Sequence, residues 1–429
     1  MALAAAAAQI KLPAMSADDA AATHEGAAAT VASEAAARPG QAPRAISERA
    51  LLVLLAGAAG LGAANLYYAQ PLAEAIAREF HTTAGGVSSA LVGTQLGYAA
   101  GMVLLVPLGD VRERRGVIVT TTLAAAVALL GFAAAPSLAL LAVASVLVGL
   151  GASLAQMIVP FAVGLAPPEQ RGRVVGNVMG GLLAGILLSR TISGTLGAVI
   201  GWRLVYVVAA GAMAVLAGVL RAALPAVPPT TTLPYRALLA SLATIARREP
   251  VLRRRCVVGG LGFASFSVFW STIAFHLAHG PIGGDSATAG MLGVLGLTGI
   301  IVAPIAGRLA VRVPPTGVNL VALAVILAAF AVFAGMPGSL IAIGAGVILL
   351  DAGTQANQLT NQTVIYGLAP AERSRINAIY MVAYFLGGAL GTALAAQAWQ
   401  RGGWLAVCAT GAGFALLAML PLGLPARRR

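Results

Sequence analysis

Two side chains in this sequence stand ready to carry charge inside an apolar environment, Asp351 and Arg190. Asp351 lies about halfway along an otherwise apolar stretch, and Gln355, Gln358 and Gln362 follow it at i+4, i+7 and i+11. At roughly 100° per residue these four side chains fall within about a 60° arc, so they share one face of a helix. A helix that is apolar all round except for one stripe of acid and amides does not turn that stripe to lipid. Arg190, within Leu188-Ser-Arg190-Thr-Ile-Ser-Gly194, is the one base expected in a comparable setting outside the loops. A lone charge at mid-membrane costs about 2.5–3.5 kcal/mol on insertion scales, and two opposite charges at similar depth lower that cost by pairing. Two chemistries fit the pair. It is either a static clamp between two parts of the fold, or a protonatable acid with a switchable counter-ion. In the second case, taking up a proton releases the pair and biases two alternative packings.

The elements that must position these residues are membrane-spanning helices. The 429 residues are 59% hydrophobic and only 10% charged, whereas soluble domains carry about 25% charged residues. The apolar material arrives in blocks of about 20 residues, the length a helix needs to cross about 30 Å of hydrocarbon. Open strands would leave backbone groups unpaired there. Twelve spans are expected, near 50–72, 86–108, 116–135, 138–163, 175–199, 203–222, 254–276, 288–310, 317–336, 339–364, 376–398 and 403–422.

The net charge of +13 does not point to nucleic acid, because the arginines sit in short loops between apolar blocks. Loops on the side of the N-terminus hold Arg112, Arg114, Arg115, Arg171, Arg173, Arg373, Arg375 and a cluster between 221 and 255. The opposite side holds only Arg78, Arg203 and Arg401. Positive charge is retained in the cytoplasm, so both termini are expected inside a cell inner (plasma) membrane. Residues 1–46 are Ala-rich and read as a disordered cytoplasmic tail, and 425–429 as a basic one. Between them, 47–222 and 254–424 read as two six-helix bundles joined by a cytoplasmic linker, 223–253. The linker carries Pro225, Pro228, Pro229 and Pro234, then a short helix candidate with Leu238, Leu239, Leu242 and Ile245 on one side, suited to the membrane surface. An internal repeat supports two halves. Pro168-Glu-Gln-Arg171-Gly-Arg173 matches Pro370-Ala-Glu-Arg373-Ser-Arg375, and Val106-Pro-Leu108-Gly-Asp110 matches the loop at Gly307-Arg-Leu309-Ala-Val311 more weakly. Parallel repeats of this kind place a binding site between the halves, near mid-membrane.

Leu108-Gly-Asp110-Val-Arg-Glu-Arg114-Arg115 resembles the loop signature of the major facilitator superfamily, G-x-L-a-D-r-x-G-r-k. Asn65-Leu-Tyr67-Tyr68-Ala-Gln70-Pro71, the Arg190 run and Asn361-Gln-Thr-Val-Ile-Tyr366 resemble its bacterial drug and metabolite (sugar or nucleoside) efflux branch. The resemblance covers about residues 48–424. It implies an all-α membrane fold of 12 helices in two pseudo-symmetric halves, with spans one, four, seven and ten lining a central cavity. Asn65, Tyr68, Gln156, Trp270 and Ser271 then join Gln355, Gln358 and Gln362 as candidate substrate ligands. The alternative role for these polar residues is hydrogen-bonding between helices, favoured for Gln95, Asn377, Tyr380 and Tyr384. Asp110, Arg114 and Arg115 are expected as a cytoplasmic gate. Asp110 would accept from a helix N-terminus, and the arginines would bridge to acids on adjoining loops.

The expected function is secondary active, proton-coupled export of a small organic solute by rocking of the halves. Alternatives are an importer or uniporter of the same fold, and an intramembrane enzyme, against which the absence of a second intramembrane acid or a nucleophile–base pair counts. There is no P-loop motif, and Lys is absent after Lys11. The two cysteines, Cys256 and Cys408, read as small core residues. His276 and His279, one turn apart, read as interface residues rather than metal ligands. No cofactor, metal or nucleic acid is expected. The expected partners are a small-molecule substrate, protons and the lipid bilayer, and the chain is expected to act as a monomer. An amide and aromatic lining suits sugars, nucleosides or moderately polar drugs over multivalent anions.

Overall fold

Backbone polar groups inside hydrocarbon have to be satisfied within their own segment, and the apolar blocks do so as helices. The structure is a computed structural model that describes residues 47–229, 231, 233–296, 313–369 and 372–423. Among these residues there is no strand, and 10 helical stretches are long and apolar enough to cross a membrane. In chain order the helices are α1 (Glu48–Ala64), α2 (Ala69–Glu79), α3 (Ala84–Leu104), α4 (Arg114–Ala134), α5 (Leu138–Ala152), α6 (Leu154–Leu165), α7 (Arg171–Ile200) and α8 (Trp202–Ala223). They continue as α9 (Tyr235–Arg248), α10 (Pro250–His279), α11 (Ser286–Leu295), α12 (Pro315–Gly335), α13 (Leu340–Tyr366) and α14 (Arg373–Gly423). The chain is an all-α membrane protein. Large apolar side chains such as Val53, Val199 and Ile341 stay exposed around the outside, as lipid-facing residues must.

α5 and α6 together make one span, Leu138–Leu165, α9 lies in the linker, and three further features reconcile these helices with twelve expected spans. The first span is longer than expected and breaks into α1 and α2 at a turn over residues 65–68. α14, 51 residues long, is interrupted at Gly402 and Gly403, where Gly403 takes φ 58°. That left-handed conformation suits glycine and separates the eleventh span from the twelfth. α11 is the start of the eighth span. The rest of that span, the second copy of the loop signature near Gly307 and Val311, and both tails lie outside the described residues.

α1 and α3 to α8 pack mainly on one another, as do α10 and α12 to α14. α11 instead packs mainly on α7 across a seam, where α2, α3, α10 and α14 also meet. Without a hydrophobic driving force between helices in lipid, close approach depends on small residues. Gly60 in α1 lies against Gly181 and Gly185 in α7, and Gly260 in α10 lies against Gly387 in α14. The same glycine contact therefore recurs about two hundred residues later, as the repeat requires. α9 buries Leu238, Leu242 and Ile245 and packs against α10 and α14. Arg248 at its end pairs with Glu249 at 3.1 Å and with Glu372, just before α14, at 2.5 Å.

Candidate functional site

α7 and α13 carry Arg190 and Asp351 to opposite sides of one cavity of about 520 Å³, and both residues line it. Both are buried, Arg190 to 1% and Asp351 to 5% exposure. They do not touch: no Arg190 nitrogen lies within 4.0 Å of an Asp351 oxygen. Each stands within reach of the other's Coulombic field, with Tyr67 and Tyr384 the other titratable groups facing the carboxylate. α11 holds the two at one level of the seam. A Cβ on Gly293 would meet Arg190 Cβ at 2.9 Å, and one on Gly296, a turn later, would meet Asp351 Oδ2 at 3.3 Å.

Arg190 is held rigidly. Its Nε donates to Gln70 Oε1 at 2.7 Å. Its guanidinium lies over the rings of Trp270 at 4.2 Å and Tyr67 at 4.6 Å, a cation–π arrangement that is strong when desolvated. Its Nη2 has no hydrogen-bond partner, and neither has Asp351 Oδ2 or Thr354 Oγ1 one turn further along α13. Unpartnered buried polar atoms are rare in native structures, and each calls for a reason.

The cavity runs from this level to the arginine-rich end of the helices, where Tyr366, Arg373, Ser374 and Asn377 line it. At the opposite end the seam is shut. Gln95 Nε2 donates to Thr392 Oγ1 at 3.2 Å, Gln400 Nε2 to Thr83 Oγ1 at 2.8 Å, and Thr191 Oγ1 to the Gly290 carbonyl at 2.9 Å. The described conformation is therefore open at one end and closed at the other.

The candidate ligands divide. Gln156, Gln355, Gln358 and Gln362 line the cavity together with Asp351, as the stripe on α13 requires. Asn65 and Tyr68 are buried away from it. The turn over 65–68 breaks the helical register, so Tyr67 faces the cavity while Tyr68 packs edge-on against Tyr206. Trp270 reaches the site only through its stack on Arg190, and Ser271 Oγ donates back to Val268 of its own helix. Of the residues expected as helix glue, Gln95 fills that role across the seam, whereas Asn377 and Tyr384 line the cavity, with Tyr384 donating to Gln358.

The three residues of the expected gate sit together on the loop between α3 and α4. Arg114 pairs with Asp110 in its own loop at 2.8 Å, and Arg115 with Glu113 at 3.7 Å. The linker docks on that loop, since the Thr231 amide donates to the Asp110 carbonyl and the Arg114 amide to the Val227 carbonyl. With the cavity open at this end, both arginines pair with acids of their own loop, and Arg115 Nη1 also reaches the Leu224 carbonyl at the start of the linker, 3.4 Å away.

Arg255 is a second buried base, missed because it falls next to the basic cluster of the linker. α10 begins at Pro250, so Arg255 is already inside the helix and only 6% exposed. Its Nη1 donates to Asn319 Oδ1 at 2.6 Å and Asn361 Oδ1 at 3.2 Å, and Asn319 in turn donates to Asn357 Oδ1 at 2.6 Å. The available signal was Asn319 in an otherwise apolar span, together with Asn357 and Asn361 on α13, off the stripe that carries Asp351. His276 is buried, with its Nε2 2.8 Å from the Pro337 carbonyl and its ring stacked on Trp404. No metal-ligating cluster occurs among the described residues.

A helical membrane fold with a polar, charge-bearing cavity at a seam between two groups of spans is that of a secondary transporter. The comparisons agree. Residues 52–391 match the family model of the Major Facilitator Superfamily, and the chain belongs to that family. It is 42% identical over 371 residues to the putative uncharacterized transporter YgaY of Escherichia coli, covering 86% of this chain and 94% of that one. A probable transporter of Streptomyces coelicolor is 34% identical, with 88% of each chain covered. Among solved structures, the nucleoside transporter NupG superposes with a TM-score of 0.71 at 13% identity, covering 87% of this chain and 98% of that one. A bacterial homologue of the human lysosomal transporter Spinster, in an inward-facing and unoccupied conformation, gives 0.67 at 15% identity, covering 89% and 95%. At these identities the structural likenesses speak for the fold alone.

Proposed function

We propose that this protein is a proton-coupled exporter of a small organic solute across the inner membrane, working as a single chain with both termini in the cytoplasm. The observation that carries the reading is the pair of unjoined opposite charges, one from each side of the seam, lining the same cavity. With Asp351 ionised, the pair attracts across the seam. With Asp351 protonated, that attraction is lost, and Arg190, which is fixed by Gln70, Tyr67 and Trp270, faces the cavity alone. A proton therefore changes the relative free energy of the two packings, which is what coupling requires. The described conformation, open at the arginine-rich end, is the one that loads solute from the cytoplasm if positive charge is retained inside. Solute and proton then exchange as the outer seam opens and the inner end closes around Asp110, Arg114 and Arg115.

The test is transport by purified protein in proteoliposomes with an imposed pH gradient. Asp351→Asn is expected to abolish gradient-driven movement while solute exchange without a gradient persists. Gradient-driven transport that survives the substitution removes Asp351 from the mechanism.

A further inference from the structure

Charge that is buried and left unpartnered on both sides of a binding cavity constrains what the cavity accepts. Arg190 has one edge committed to Gln70 and its faces covered by Trp270 and Tyr67, so the free Nη2 cannot turn away to find another acceptor. Asp351 Oδ2 lies beside Gly296, just after α11, with the unpartnered Thr354 hydroxyl one turn along its own helix. The residues cannot satisfy each other without moving, since they lie beyond ion-pair distance.

We infer that the transported solute is amphoteric, a small molecule whose cationic amine-type group engages Asp351 Oδ2 and whose carboxylate-type group engages Arg190 Nη2. This rests on the transport reading and names the substrate class of the same site.

Other ligand chemistries fit less well. A simple amine would neutralise Asp351 and leave a desolvated guanidinium without its counter-charge, and a simple carboxylate would do the reverse. A neutral apolar solute would displace water from two charges without replacing the hydrogen bonds they need, and a neutral polar one would offer each charge only the weaker hydrogen bond of an uncharged partner. A multiply charged anion would be repelled by Asp351 inside the same cavity. A ligand bearing both signs gives each atom an oppositely charged hydrogen-bond partner at once, and it adds no net charge to the low-dielectric site. The cavity of about 520 Å³ leaves room for an organic body beyond the two charged groups, with Gln156, Gln355, Gln362 and Tyr98 lining its course toward the open end.

The experiment is binding to the purified full-length protein, measured by thermal stabilisation and by displacement. The probes are the proteinogenic amino acids, together with the amide and the N-acetyl derivative of each one that binds. At least one amino acid is expected to bind, and blocking either its amine or its carboxylate is expected to weaken binding about 10- to 100-fold, the size of a lost charged hydrogen bond. The variants give a crossed pattern. Asp351→Asn weakens the amino acid by a similar factor but leaves the N-acetyl derivative unchanged, and Arg190→Gln weakens it while sparing the amide. A misfolded variant would lose every ligand together, and the blocked ligands on the unaltered protein need no variant at all. The inference is overturned if no amino acid binds, or if blocked or neutral analogues bind as well as the amphoteric parent. Movement of a neutral compound by the unaltered protein in proteoliposomes would overturn it and leave the transport reading standing. An amphoteric ligand that binds but is never moved would sink the transport reading instead.

Discussion

The closed end of the seam offers a direct test that the two sides of this molecule move relative to each other. Gly290 in α11 and Gly194 in α7 meet there. A methyl group at Gly290 would lie 2.7 Å from the Arg190 carbonyl oxygen and 3.0 Å from Gly194 Cα. Both are backbone atoms inside a helix, so neither can swing aside as a flexible side chain would. Overpacking of this kind costs about 1–3 kcal/mol. In Gly290→Ala that cost falls only on the conformation with this seam closed, so the population in which the seam is open rises about 5- to 150-fold. The assay is the labelling rate of Thr392→Cys, a position 1% exposed at the seam, by a bulky maleimide. The native Cys256 and Cys408 are replaced, and the reporter is present in parent and variant alike. Gly149→Ala is the control. Its methyl would press on the Thr94 carbonyl and sit 2.9 Å from the Tyr98 amide nitrogen, contacts between α3 and α5 on one side of the seam. It is expected to lower the melting temperature without raising labelling. Equal labelling in Gly290→Ala and its parent, with both folded, would refute the two-packing argument, and so would an equal rise in the control.

Other outcomes follow from the same structure. Asn319→Ala removes the shorter of the two hydrogen bonds that Arg255 Nη1 makes, and is expected to cost about 1.5–3 kcal/mol in thermal unfolding. Asn361→Ala, which removes the longer of the two, is expected to lose less, and the opposite order would count against the network. Asp285 caps α11, accepting from the Thr288 amide at 2.9 Å, and that amide holds its carboxyl below the usual 3.8. A carboxyl with a depressed folded-state pKa stabilises above its unfolded value and loses that contribution as pH falls through the folded one. Asp285→Ala is therefore expected to cost about 1 kcal/mol at neutral pH, and its deficit relative to the parent should shrink on acidification below 3.8. A deficit independent of pH would remove the charge from the cap.

What the sequence determined by itself is what depends on local pattern. Helix type, the approximate place of each span and the repeat follow from apolar block length and from a backbone that lipid cannot hydrogen-bond. The stripe of Asp351, Gln355, Gln358 and Gln362 was legible because it needs only the helical period, and all four residues do line the cavity. The tertiary structure decided whatever depends on where a helix starts, breaks or meets a neighbour. The turn over residues 65–68 rotated Tyr67 inward and Asn65 and Tyr68 away, which no periodicity could show. The start of α10 at Pro250 carried Arg255 from an apparent loop into a buried asparagine network. That Arg190 and Asp351 share a cavity yet stay apart was likewise invisible in one dimension. Between them lie Gly293 of α11, against Arg190 of α7, and Gly296 just after it, against Asp351 of α13, contacts between segments far apart in the chain.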